Sequence, residues 1–175
     1  MSKLLIKPAA TSQVHQVTPQ SAGWSYVGFA VHDLAEGETL QCQQAGRELC
    51  IVILTGTANI SVGLQSWTDV GGRDSVFVDQ PPGAVYVPAG EAVSIVALDS
   101  IEVAVCSAPG HGNSGSARLI DVATMSQEVR GKDTNTRYVR NILPETEAAD
   151  GLLVVEVITP SGHWSSYPPH KHDRD

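Results

Sequence analysis

A chain of 175 residues, 42% hydrophobic and only 17% charged, is a globular protein large enough for one sizeable domain, or for one domain and part of another. Its net charge of −8 argues against a nucleic acid or an anionic membrane surface as partner. No apolar run approaches the roughly 20 residues of a helical membrane span, and the Met1-Ser2-Lys3-Leu4-Leu5-Ile6 start is too short for a secretory apolar region, so a cytoplasmic protein is expected.

From Trp24 to about Cys106 short apolar segments are separated by turn residues: Gly37, Gly46, Gly56, Gly63, Gly71-Gly72, Pro81-Pro82-Gly83, Pro88-Ala89-Gly90 and Asp99-Ser100. Spacings of roughly 7 to 11 residues predict an all-β sandwich or barrel. Residues 24–31 and 58–62 are rich in β-branched and aromatic side chains and are expected as strands. The continuous run 49–54 predicts a strand buried on both faces, with a turn at Thr55-Gly56. Residues 93–97 and 101–105 predict a hairpin about Asp99-Ser100, and no window here sustains a helical period. Cys42, Cys50 and Cys106 contain no CxxC pair and are odd in number, which fits buried, reduced thiols.

The stretch 109–116 has linker composition, and 121–129 allows a helical turn or two. Strand character resumes at 137–143 and, after the Asp150-Gly151 turn, at 152–158. The division expected is a β domain over 1–115, a linker over 116–137, and the start of a second domain over 138–175. A small barrel takes roughly 80 to 100 residues, so the second segment cannot close one alone. It packs on the first domain, pairs with another chain, or belongs to a longer protein, which is the favoured reading. The apolar stretch 152–158 is expected to extend the first domain's sheet or to pair across a two-fold dimer.

Chemistry concentrates at the end. In an extended chain His170 and His172 project to one side and Lys171 to the other. Two such imidazoles are half of a metal site, with the stiff Pro168-Pro169 approach before them. A solvated tail is the other reading. Arg137 and Arg140, three apart on a strand, face opposite sides, so without a bulge only one enters a cavity. Arg137 is the candidate for pairing with a substrate carboxylate, and Tyr167, like Trp164, for lining a sugar pocket; ion pairs and core packing are the alternatives. His15, His32 and His111 are expected as ordinary surface, and His163 is unassigned.

The string Trp-Ser-Ser-Tyr-Pro-Pro-His-Lys-His-Asp at 164–173 resembles the signature of the bacterial 5-deoxyglucuronate isomerases of myo-inositol catabolism. These are bicupins related to the 4-deoxy-hexulose-uronate isomerases. Residues 46–49, 54–58, 73–77 and 137–143 are similar to that family as well. The resemblance implies an all-β bicupin with an incomplete second cupin, and conversion of 5-deoxy-D-glucuronate to 5-dehydro-2-deoxy-D-gluconate. It further implies a divalent metal on His170 and His172, zinc first and manganese or iron as alternatives. The partner implied is a small sugar acid, with a homo-oligomer left open. The general cupin pattern can be laid on the first domain, where Glu48 and Gly56 fall at the glutamate and glycine positions. Cys42-Gln43-Gln44 and Val93 stand where histidines belong, so this domain is expected to be metal-free, with Glu48 structural. Two other functions stay open: a non-catalytic sugar-binding or assembly module, and a cupin non-haem iron oxygenase. No catalytic base is assigned.

Overall fold

Burial that switches face residue by residue sets the architecture of this chain. The computed structural model describes residues 5–165. Its strands are β1 (Gln13–Val17), β2 (Gly28–Leu34), β3 (Thr39–Cys42), β4 (Arg47–Val62), β5 (Gln65–Arg73), β6 (Gly83–Val87), β7 (Val93–Ala97), β8 (Ile101–Pro109), β9 (Arg118–Ile120), β10 (Gln127–Arg130), β11 (Arg137–Leu143) and β12 (Val154–Ile158).

The 16-residue β4 belongs to both layers of the first unit. Its first half lies in the sheet β1-β2-β8-β4-β6-β9, and its second half pairs with β5 and β7, with β3 beyond β7. The crossing is made by bulges at Ile53/Thr55 and Gly56/Thr57. Gly56 sits at φ 75°, and a Cβ there would lie 2.3 Å from Asp99 Oδ1 and 2.5 Å from Ser100 O. Thr55-Gly56 is therefore a corner inside one strand, not the turn expected between two.

The hairpin expected about Asp99-Ser100 is also a corner. The strand β7 pairs with β3 and β4, while β8 pairs with β2 and β4 in the other layer. Gly28 rather than Trp24 begins β2, and the segment before it is irregular. As predicted for 49–54, the run is buried on both faces. Leu49, Ile51 and Ile53 enter the core between the layers with Ile60, Val85, Val93, Ile95 and Val103. Cys50 and Val52 face outward, with Ala84, Tyr86 and Ala104.

That outward face is covered by the second part of the chain. Ile142, Leu143 and Leu152 complete the cluster begun by Cys50, Val52 and Tyr86, each buried side chain worth about 1.5–3 kcal/mol. The three-stranded antiparallel sheet β10-β11-β12 grows from this anchor. Hence β12 pairs with β11 instead of extending the first sheet, which corrects the shared-sheet expectation. Only Leu152 of the apolar stretch is deeply buried, while Leu153, Val155 and Val157 are exposed at 60%, 48% and 40%. The stretch expected as a linker contributes a strand to each sheet, because β9 pairs with β6 and β10 with β11. No helix forms over 121–129; turns there lead directly into β10.

Candidate interdomain cleft

The three-stranded sheet presents two chemically different faces. Register places Gln127 opposite Arg140 and Arg140 opposite Glu156, with Val129, Tyr138 and Ile158 similarly in line. Side chains directly opposite share a face, so these six project to one side. Arg137, Val139, Asn141, Val155 and Val157 project to the other. The separation of Arg137 from Arg140 read from the sequence is therefore observed, and no bulge falls between them.

On the first face lies a cleft of about 490 Å³, bounded across from the sheet by Phe77 and Asp79 and floored by charge. Arg140 Nη1 donates to Glu156 Oε2 at 2.6 Å and to Gln80 O at 3.2 Å, and Nη2 donates to Asp79 Oδ1 at 3.0 Å. With the Gln127 amide turned so that its oxygen faces the guanidinium, it accepts from Nη2 and Nε at 2.9 and 3.2 Å. Arg73, at the end of β5, reaches the same group from below. Its Nε donates to Leu54 O at 2.7 Å and its Nη1 to Gln80 O at 3.2 Å. Arg73 Nη2 stands 2.6 Å from Glu156 Oε1 without a directed hydrogen bond, so that contact is ionic. One carboxylate thus lies between two buried guanidiniums, joining the first unit to β11 and β12.

Arg137, the sequence-predicted carboxylate ligand, is buried on the opposite face and donates from Nη1 to Asn135 O and Oδ1 at 3.1 and 2.9 Å. It does not line this cleft; Arg140 does. Near Arg137, His163 Nδ1 donates to Thr136 O at 2.8 Å, which fixes a proton on Nδ1 and leaves Nε2 as acceptor in the neutral ring. Glu128 accepts from Arg130 Nε at 3.0 Å and Asn141 Nδ2 at 2.6 Å, and these two hold its carboxyl below the usual range. His15 and His32 are half-buried in β1 and β2 rather than plain surface, and burial lowers the His32 pKa; His111 is exposed. Tyr167, His170 and His172 lie outside the described residues.

Val93 and Glu48 occupy different parts of the first unit's interior. The core between its layers is aliphatic, Val93 included, and Glu48 points away from it, on the face of Cys50 and Tyr86. There Glu48 is fully buried and serves backbone donors. Oε1 accepts from Gly151 N at 2.7 Å and Leu152 N at 2.6 Å, and Oε2 from Asp150 N at 2.8 Å and Tyr86 Oη at 2.5 Å. Ser114 closes the network onto Tyr86, whose hydroxyl pKa is pushed well up by burial and by the Glu48 charge. Among the described residues no group of three or more His, Cys, Asp and Glu side chains is placed to hold a metal ion.

No local pattern marked Arg73, Asp79 or Glu156 as site residues. Arg73 lies in the 73–77 stretch that is similar to the family, but that similarity names no role for it, and Glu156 stands far from both Arg73 and Asp79 in the chain. An arginine ending a β strand and a lone acid inside an apolar strand were the available signals, and neither identifies its partner.

A family model described as the KduI/IolB family matches residues 4–175. Among curated proteins, a 5-deoxy-glucuronate isomerase of Geobacillus kaustophilus (strain HTA426) is 51% identical over the whole chain, and the match covers 64% of that protein. One of Bacillus subtilis (strain 168) with the same name is 40% identical over the whole chain, which covers 67% of it. A crystal structure of an IolB-like protein from Salmonella typhimurium LT2 superposes with a TM-score of 0.91 at 40% identity, over 97% of this chain and 65% of that one. The chain spans about two thirds of the length of these relatives.

Proposed function

The chain belongs to the KduI/IolB family, and from that premise we propose that its protein is a cupin isomerase that converts 5-deoxy-D-glucuronate to 5-dehydro-2-deoxy-D-gluconate. The observation that carries this reading is 51% identity, over the whole of this chain, to a relative named for that activity. The reaction moves a carbonyl to the neighbouring carbon of an aldose.

The residues have separable duties in this proposal. Arg137 sits on the face of β11 opposite the cleft, where its buried guanidinium is suited to fix a carboxylate by paired hydrogen bonds. Tyr167 provides a ring for the sugar. His170 and His172 are the proposed ligands of a divalent metal, zinc first, and such an ion when bound supplies Lewis-acid stabilisation of negative charge on oxygen. The aliphatic filling of the first unit leaves it a scaffolding task, with Glu48 holding the Asp150–Leu152 backbone that leads into β12. A first domain over 1–115 and the start of a second over 138–175, a cytoplasmic location and a sugar acid as the partner belong to the same proposal.

Following 5-deoxy-D-glucuronate by NMR with the whole gene product tests it, the aldehydic form giving way to a ketone carbon in the absence of oxygen. His170→Ala and His172→Ala should each reduce turnover by orders of magnitude with the fold retained. Turnover that requires oxygen would favour the oxygenase instead. No turnover at all, in folded protein loaded with zinc, manganese or iron, would leave a binding or assembly module.

A further inference from the structure

We propose that the cleft above Arg140 is a binding site for a small ligand carrying a carboxylate on a ring-sized body. It is separate from the Arg137 face, and Asp79 holds its place when it is empty of ligand. The side chains of Arg73 and Arg140 are 0% and 5% exposed, and both share one interior carboxylate, Glu156, itself 16% exposed. A guanidinium does not lose its proton in a protein, so the interior of this network carries one positive charge more than it can neutralise. The remaining anion comes from Asp79, whose side chain is 87% exposed. An acid that far into water holds its partner weakly, because solvent screens the pair and the side chain loses freedom in making it.

The geometry matches that imbalance. The Nη2 and Nε donors of Arg140 point at Asp79 and at the Gln127 amide, which together form the forked edge that a carboxylate engages with two hydrogen bonds. Both side chains are displaceable without disturbing the Glu156 and Gln80 contacts made by Nη1. A volume of about 490 Å³ lies in the range of small-molecule sites, roughly 300–1,000 Å³. Phe77, Tyr138 and Ile158 give its walls apolar surface for the body of the ligand. Glu128, the other acid at its margin, is already engaged by Arg130 and Asn141 and does not compete for Arg140.

A titration of the isotope-labelled chain with sodium D-glucuronate, followed by amide NMR, tests this, with D-glucose as the uncharged control. The amides of residues 127–129 and 138–140 should shift with glucuronate and not with glucose. Asp79→Asn removes the competing acid from an exposed loop and should tighten binding about two- to fivefold, the reverse of what loss of an ordinary contact does. Arg140→Lys, with one donor group in place of the fork, should weaken it about tenfold. An equal response to glucose, or unchanged or weaker binding in Asp79→Asn, would overturn the proposal even if Arg140→Lys fails to fold. Neither result bears on isomerase turnover, which is measured separately and rests on the opposite face of β11.

Discussion

Replacing Glu48 with alanine strikes a buried carboxylate that binds the second sheet's connecting backbone to the first unit. Four donors lose their acceptor: the amides of Asp150, Gly151 and Leu152 and the hydroxyl of Tyr86. Leu152 and Tyr86 are 2% and 0% exposed, so their donors cannot turn to bulk water. The Tyr86 hydroxyl keeps Ser114 beside it, but the Leu152 amide has no other partner among the described residues, and a buried donor left unsatisfied costs about 1–3 kcal/mol. Asp150 and Gly151 reach the surface and recover most of their loss by hydration. The expected destabilisation is about 3–5 kcal/mol, in the range where a single substitution needs a specific cause. Urea unfolding read by far-ultraviolet circular dichroism and by tryptophan fluorescence measures it. Trp67 lies in β5 and Trp164 hydrogen-bonds from its backbone amide to Thr134 near β11, so weakening of the tie should also separate transitions that coincide in the unaltered protein. Tyr86→Phe should cost about 1–2 kcal/mol alone and less when combined with Glu48→Ala, since its hydroxyl is then no longer stranded. A Glu48→Ala loss below about 1 kcal/mol, the size of an ordinary exposed contact, would refute this account of the carboxylate.

Gly56→Ala should destabilise by more than about 3 kcal/mol or prevent folding, because its Cβ would overlap Asp99 and Ser100, whereas Gly72→Ala meets no atom within 4 Å and suffers only its φ of 104°; thermal melts giving the reverse order would contradict the corner. For His32, burial sets the folded pKa below the ordinary 6.5, so as pH falls below that value the unfolded chain takes up the proton first. Stability is intact above pH 6.5 and declines toward the folded pKa, and His32→Gln should flatten that part of the pH–stability curve. Burial pushes the Cys106 thiol up to about 11 and the Cys50 thiol well above its usual value. Both should therefore resist a thiol-exchange reagent at pH 8 until urea is added, and prompt reaction in the native protein would contradict that.

Local pattern carried the fold a long way and then met its limit at corners. The run 49–54 announced a strand buried twice over because every residue in it is apolar, and the spacing of turn residues announced an all-β unit. Asp99-Ser100 and Thr55-Gly56 misled because a chain that changes sheet uses the same small and polar residues as one that reverses within a sheet. The parity of Arg137 and Arg140 was readable, since it depends only on the two-residue period of a strand. Which face met a cleft was not, since that depends on Phe77 and Asp79 arriving from another part of the fold. Glu48 could be marked as structural from the missing histidines around it. Its partners, the amides of Asp150, Gly151 and Leu152, are backbone groups about a hundred residues away, which no side-chain motif reports.

The length of β4 has a consequence during synthesis. Its first half is apolar on both sides, yet its partners β6 and β8 follow it in the chain, with β8 ending at Pro109. At translation speeds of roughly 5–20 residues per second, Leu49–Ile53 waits several seconds after emerging before its second neighbour exists. For that interval the nascent chain carries an unpaired, uncharged strand, the kind of segment that chaperones capture and that crowded ribosomes can cross-pair. The acid at Glu48 and the arginine at Arg47 sit immediately before it, so the only charges near that vulnerable stretch are the ones that emerge first.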